Sequence, residues 1–377
     1  MFMSSPSINA WRSIIKLLNV TCQDLSSTAI EMLYKRLGRD GIEVSAIGLG
    51  TWEFGQTGAW GTGRIENYKR IVDYALDQGI NFIDTAEGYG KSEEILGMML
   101  EGRRDDVILA TKIGGYDWRY ENMLKRLSKS LERLRTDYVD LYQIHWPKIK
   151  GRYGYKGDME PRDYQDIQDS MERLQREGLI RFGGLSNFRL SHLKNFDQEA
   201  FRVIVTDQVP YNLLWRSYDR PEIAEFCRKC GLKLIAYSSL AQGLLTGKYD
   251  MGSELTMIQR ANVLFNEPVY SRAMKVVEAV KTVAEEADAT PAQVSLRWLI
   301  EKELTVTALV GIRRVEELEE NIRATELNLT RDQLKMLEDA SLSFWNGMPQ
   351  NLELWLHDNS KETLEKLGID SSAGYDI

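Results

Sequence analysis

Four side chains in this sequence are of types that, brought together, move a proton. Asp84 and Tyr89 lie five residues apart in NFIDTAEGYGKSEEILGMML, an apolar run that breaks into a polar turn and restarts with helical spacing. Lys112 closes the ATK of VILATKI, and His145, one of three histidines in the chain, closes YVDLYQIH. A phenol titrates near pH ~10, too high to exchange protons readily at neutral pH. A neighbouring ammonium stabilises the phenolate and is expected to lower that value. In the expected arrangement Lys112 supplies the charge and Asp84 holds Lys112 by an ion pair. His145 orients a carbonyl oxygen or shares its hydrogen bond, and Gly88 and Gly90 let Tyr89 present its hydroxyl.

Such a group protonates a carbonyl oxygen as a nucleophile arrives at carbon. The side chains offer no evident nucleophile, so a hydride from a bound nicotinamide is the natural candidate. A lyase using Lys112 as a Schiff base is another reading of the same residues.

The elements that must position these residues alternate along the chain. Runs of strand character occur at 45–51, 81–86, 107–113, 138–146, 180–186, 203–209, 233–240 and 305–312. Most are nearly continuous apolar runs, as expected for strands covered on both faces. Helix-period segments lie between them. In IENYKRIVDYALDQG, for example, Ile65, Tyr68, Ile71, Val72, Ala75 and Leu76 share a face before Gly79. In ATPAQVSLRWLI, Thr290 suits a cap and Pro291 the first helical turn.

Eight strands each followed by a helix predict an α/β fold, the (β/α)8 TIM barrel. A doubly wound open sheet is the alternative, but GLGTWEFG does not run straight into a helix as a dinucleotide fingerprint would. YKRLGRDGIEVS, with Asp40-Gly41 as its turn, reads as an N-terminal β-hairpin plug for the barrel bottom. In such a barrel the chemistry sits at the C-terminal ends of the strands, where Asp84, Lys112 and His145 fall.

The chain of 377 residues and 43.3 kDa carries a net charge of −8, with no Lys/Arg block dense enough to track nucleic acid. No apolar run reaches the ~20 residues of a membrane helix. Three cysteines point to a reducing compartment, hence a cytoplasmic location, and no metal site is indicated. Cys227 and Cys230 form a C-x-x-C on the last turn of a helix and read as ordinary thiols. Residues 1–31 read as a flexible extension or an overlong start, with Met32 a plausible natural one. The barrel is expected over 32–341, with 342–377 as a C-terminal extension carrying one short helix from Lys361 to Leu367.

DTAEGYG, ATKIG, IHW, GLSNF, YSSLAQGLLTGKY and GIRRVEELEEN, in this order from about Leu33 to Leu329, resemble the aldo-keto reductase superfamily. The resemblance implies Tyr89 as general acid/base, with Asp84, Lys112 and His145 completing the catalytic four. It implies NADPH laid across the barrel mouth without a dinucleotide-binding domain, and a small-molecule carbonyl as substrate. Carried over by position, Ser186, Asn187 and Gln208 hold the carboxamide and Tyr237 stacks on the nicotinamide. Ser238, Leu240 and Gln242 line the pyrophosphate. Gly311, Arg313 and Asn321 grip the adenosine end, with Arg313 on the 2′-phosphate.

Glu317 stands where many relatives of this subgroup carry Gln. Its carboxylate is expected to weaken NADPH, which leaves NADH open, or to enlist a second arginine. Trp52, Trp118 and Trp146 follow strand ends and are expected to wall a substrate pocket. An accessory subunit similar to the potassium-channel β subunits, holding cofactor with little turnover, is the alternative to a carbonyl reductase. Neither the physiological carbonyl nor the oligomeric state is legible in the sequence.

Overall fold

Among the described residues, ten short strands build two sheets of unequal size. β1 (Tyr34–Arg36) and β2 (Glu43–Ser45) form an antiparallel pair, with Tyr34 opposite Ser45. The barrel wall is made of β3 (Ile47–Gly50), β4 (Phe82–Asp84), β5 (Ile108–Ile113), β6 (Val139–Ile144), β7 (Ile180–Ser186), β8 (Ile204–Pro210), β9 (Lys233–Tyr237) and β10 (Thr305–Gly311). Neighbours pair in parallel, and β10 closes the ring on β3 with Ala308 opposite Ile47. The computed structural model describes residues 30–38, 41–55, 65–115, 117–152, 156–250, 252–349 and 351–369. Most of the N-terminal extension, Asp40 of the expected hairpin turn and most of QTGAWGTGRIE lie outside them.

Side chains alternate across each strand, so the wall has two cores. Ile83, Leu109 and Tyr142 face the surrounding helices, while Phe82, Ala110, Leu141, Ile235 and Val306 fill the lumen. Leu37 and Val44 of the hairpin segment join that inner cluster, and both are fully buried. The hairpin therefore plugs the lower end of the barrel. Lys35 ties it in place: its ammonium donates to the carbonyls of Ile300, Lys302 (3.3 Å) and Thr305 (2.8 Å). An ammonium has three N–H donors, and here each has a backbone acceptor.

The connection between β9 and β10 carries two longer helices, Val269–Glu286 and Pro291–Ile300, parted by Asp288 at φ 49°. Thr290 caps the second by accepting from the Gln293 N–H. Cys227 and Cys230 are buried near the end of the helix Pro221–Cys230, and burial pushes the Cys227 thiol up to about 12, which keeps it inert. Among the described residues no helix is long and apolar enough to cross a membrane.

The C-terminal extension packs closely on the barrel. The boundary expected at 341/342 falls inside a helix, Arg331–Trp345. The chain then returns over the barrel mouth before the short helix Lys361–Leu367. In NLELWLHD, Leu352, Leu354 and Leu356 are buried on one side of an extended strap. Its backbone pairs with the loop after β9, through Val263 N–H to Leu354 C=O (3.1 Å) and Leu356 N–H to Ala261 C=O (2.8 Å). Asp358 and Glu353 pair with Arg152 of the loop after β6, and Glu353 also takes Arg189 from the loop after β7. The segment thus completes the barrel's upper rim.

Candidate active site

The period-2 alternation that puts Phe82, Ala110 and Leu141 in the lumen sets what stands above them. Two residues further along each strand lie Asp84, Lys112 and Gln143, all pointing into the top of the barrel and all buried. Asp84 Oδ2 is 2.6 Å from Lys112 Nζ. Its other oxygen accepts from Gln143 Nε2 at 3.1 Å and Gln208 Nε2 at 2.8 Å. Lys112 spends its remaining donors on the Thr85 carbonyl (2.9 Å) and the Tyr89 hydroxyl (3.1 Å). Gly184 makes room for this network, since a Cβ there would stand 2.8 Å from Gln143 Cγ. Gly90 takes φ 57° beside Tyr89, whereas a Cβ on Gly88 would meet nothing within 4 Å, so Gly90 alone is conformationally required.

The charges in this cluster are fixed by burial and by partners. Burial opposes the charge on Lys112, but Asp84 and Tyr89 outweigh it and hold its pKa above the ordinary lysine range. Lys112 is therefore an ammonium with all three donors engaged, which argues against the Schiff-base reading. Tyr89 departs from expectation: burial raises its pKa, the pull of Lys112 is smaller, and Asp84 adds to the rise. The phenol keeps its proton. Because Lys112 donates to the phenol oxygen, the Tyr89 proton has no acceptor there and is left for the cavity.

His145 stands edge-on to Tyr89, ring centres 5.7 Å apart, and parallel to Trp146 at 6.4 Å. Burial, reinforced by the charge of Lys112, drives its pKa down to about 3. The imidazole is neutral at physiological pH, able to donate one hydrogen bond without carrying charge.

Tyr89 and His145 open onto a cavity of about 590 Å³. Ser186, Asn187, Gln208 and Tyr237 line it next to the tetrad, and Ser238, Leu240 and Gln242 follow. Gly311, Arg313, Glu317 and Asn321 also line it. Tyr237 is held by its hydroxyl, which donates to Asn187 Oδ1 at 2.8 Å. Asn187, Ser238 and Gln242 have φ of 66°, 53° and 49°, left-handed conformations that concentrate at functional sites. Gln208 has committed its amide nitrogen to Asp84, so toward a ligand its carbonyl oxygen can only accept. Glu317 accepts from the Arg313 N–H at 3.1 Å and pairs with Arg314 at 3.1 Å, so the second arginine is enlisted.

Trp52 and Trp146 line the cavity; Trp118 does not. It is fully buried in the layer between barrel and helices, under Lys148 (5.1 Å from its ring), with its carbonyl accepting from Ser170 of the helix Pro161–Arg176. The wall is completed by Trp355 and His357 of the strap, and Trp355 meets Trp52 edge-on at 6.2 Å. Sequence reasoning missed these two, Gln143, Lys248 and Glu53, the last two also on the cavity wall. Alternation alone marks Gln143, and the Leu-x-Leu-x-Leu pattern of 352–356 marks a strap with one buried face. Among the described residues no group of three or more His, Cys, Asp or Glu side chains is placed to hold a metal.

A parallel eight-stranded barrel with a tyrosine, lysine, aspartate and histidine at its C-terminal mouth defines a class of oxidoreductases. The aldo/keto reductase family model matches residues 46–341, and the chain belongs to that family. It is 34% identical over 345 residues to "Protein tas" of Escherichia coli, covering 81% of this chain and 97% of that one. The fold superposes with a TM-score of 0.65 on a thermostable aldo-keto reductase solved with the inhibitor epalrestat, at 35% identity over 82% of this chain and 100% of that one. It also superposes, with a TM-score of 0.65, on an aldo/keto reductase from Klebsiella pneumoniae in complex with NADP and acetate. That pair is 26% identical over 86% of this chain and 99% of the other.

Proposed function

We propose that this protein reduces an aldehyde or ketone to an alcohol with NADPH, the proton coming from Tyr89. The observation that carries the reading is the Asp84–Lys112–Tyr89 chain, in which the lysine's last hydrogen bond ends on the phenol oxygen. That bond stabilises the phenolate as its proton leaves, while burial keeps the proton in place beforehand. The neutral imidazole of His145 faces the same space and orients the carbonyl oxygen by donating to it. Trp52, Trp146 and Trp355 form an apolar wall around the reacting carbon and exclude water.

The cavity's own chemistry suits a dinucleotide. At one end the Tyr237 ring is pinned as a flat face beside Ser186, Asn187 and the open carbonyl oxygen of Gln208, suited to a planar amide. At the other, Arg313 and Lys248 offer cations to phosphate, and Asn321 offers an amide. When bound, the cofactor supplies a hydride. The relative solved with NADP supports this choice of ligand.

Steady-state reduction of an aldehyde panel by wild type and Tyr89→Phe tests the reading. The variant is expected to lose about a thousandfold or more in kcat while retaining NADPH affinity. Unaltered turnover sinks the assignment of Tyr89.

A further inference from the structure

Glu53 is a carboxylate that the proton-transfer cluster does not use. It sits on the short helix Trp52–Gly55, directly after β3, and lines the cavity beside Gly311, Arg313 and Glu317. Its carboxylate lies over the last residue of β10, so close that a Cβ built on Gly311 would stand 1.9 Å from Oε1. Gly311 is thus the seat of Glu53 within the space assigned to the cofactor.

The groups that face Glu53 are of both signs. Burial pushes its carboxyl up to about 7, Arg313 pulls against that, and Glu317 adds to it. Glu53 in turn raises the pKa of Tyr89. Tyr68, from the helix Ile65–Asp77, donates its hydroxyl to the Glu53 carbonyl at 3.2 Å. Glu320 also lines the cavity, one turn beyond Glu317 on the helix Val315–Ile322. Glu317 pairs with Arg314, and Glu53 shares the wall beside Arg313 with Glu320.

We propose that Glu53 must carry a proton for the dinucleotide to bind, so that cofactor uptake is coupled to uptake of H⁺ from solvent. The inference rests on the NADPH reading above. A phosphate-bearing ligand entering this cavity adds negative charge near a half-titrated acid and favours its neutral form. The ionised form of Glu53 opposes the same ligand by repulsion and by offsetting the positive field of Arg313.

NADPH binding to the full chain, followed by intrinsic tryptophan fluorescence and by calorimetry, tests this without turnover. Wild-type affinity is expected to fall by about tenfold from about pH 6 to about pH 8. Calorimetry near neutrality, in buffers of different ionisation enthalpy, should show uptake of a fraction of a proton. Glu53→Gln should abolish both effects and bind at the alkaline end as wild type binds at the acid end. Wild-type binding that takes up no proton overturns the inference, and this measurement needs no variant. Glu53→Gln that weakens binding at every pH also overturns it, marking Glu53 as a hydrogen-bond acceptor for a cofactor hydroxyl. Absence of NADPH binding at any pH sinks the cofactor reading and this inference with it.

Discussion

Gln143 Nε2 donates to Asp84 Oδ1 across 3.1 Å, from a strand two places round the barrel wall. Together with Gln208 it fixes the carboxylate whose other oxygen holds Lys112. Replacing Gln143 by Leu removes one donor to a buried charge, a loss of about 1.5–3 kcal/mol. If the strain passes to Lys112 and the phenol, kcat should drop by about ten- to hundredfold, with KM little altered. Steady-state kinetics of Q143L check this; an unaltered kcat removes Gln143 from the site.

Lys112 and Asp84 are both buried, so the lysine cannot be removed alone without stranding a charge. Lys112→Met should destabilise the fold by about 3–5 kcal/mol, read from urea unfolding. The double variant Asp84→Asn, Lys112→Met should be more stable than the single one. A single variant as stable as wild type contradicts a charged, paired Asp84.

The pH dependence of turnover follows from the directions of the shifts. Tyr89 stays protonated beyond the ordinary phenol value, and His145 is neutral above about 3. At saturating cofactor, kcat for reduction should therefore be flat through neutrality and fall only on the alkaline side. An inflection near the ordinary histidine pKa of ~6.5 contradicts a neutral His145.

His145 also makes stability pH-dependent. Its pKa is 6.5 in the reference state and about 3 when folded, so the unfolded chain binds the proton first. Stability is full above the unfolded value and is lost as pH falls toward the folded one, by about 1.4 kcal/mol per unit. His145→Gln should flatten that acid limb in chemical unfolding. An identical limb in both proteins assigns acid sensitivity elsewhere.

Trp355 reaches the cavity from the strap and touches Trp52 rather than the cofactor end. Trp355→Ala should raise KM for aldehydes by about tenfold, the scale of one large apolar contact, with the Kd for NADPH preserved. Parallel kinetics and fluorescence titration separate the two constants.

How far the sequence discloses this site depends on the range of the forces involved. Asp84, Lys112 and His145 were legible because strand ends announce themselves in apolar runs, and barrels gather strand ends at one mouth. Gln143 carries the same signal, two places beyond Leu141, but a lone amide inside YVDLYQIHW draws no attention beside a histidine. The sign of the Tyr89 shift was not legible, since it weighs burial against one ammonium, and burial is a property of the assembled barrel. Trp118 was misplaced for a related reason. A residue just past a strand turns either into the mouth or into the helical layer, and only packing against the helix Pro161–Arg176 decides. The docking of the strap is not legible in the sequence because its partners Arg152, Arg189 and Ala261 lie far away along the chain.

The hairpin plug has a consequence for how the phenol regains its proton. Leu37 and Val44 seal the bottom of the barrel, and Phe82, Ala110, Leu141 and Ile235 fill the lumen between them and Lys112. The stack is mainly apolar, with the Thr206 and Thr307 hydroxyls set within it, and Asp84 and Tyr89 hold the Lys112 pKa above the ordinary lysine range. On the reading proposed above, Tyr89 opens onto the mouth, and the proton it gives up returns from solvent along the path by which the alcohol leaves. Product departure and recharging of the acid then share one doorway, and whatever lingers there delays both.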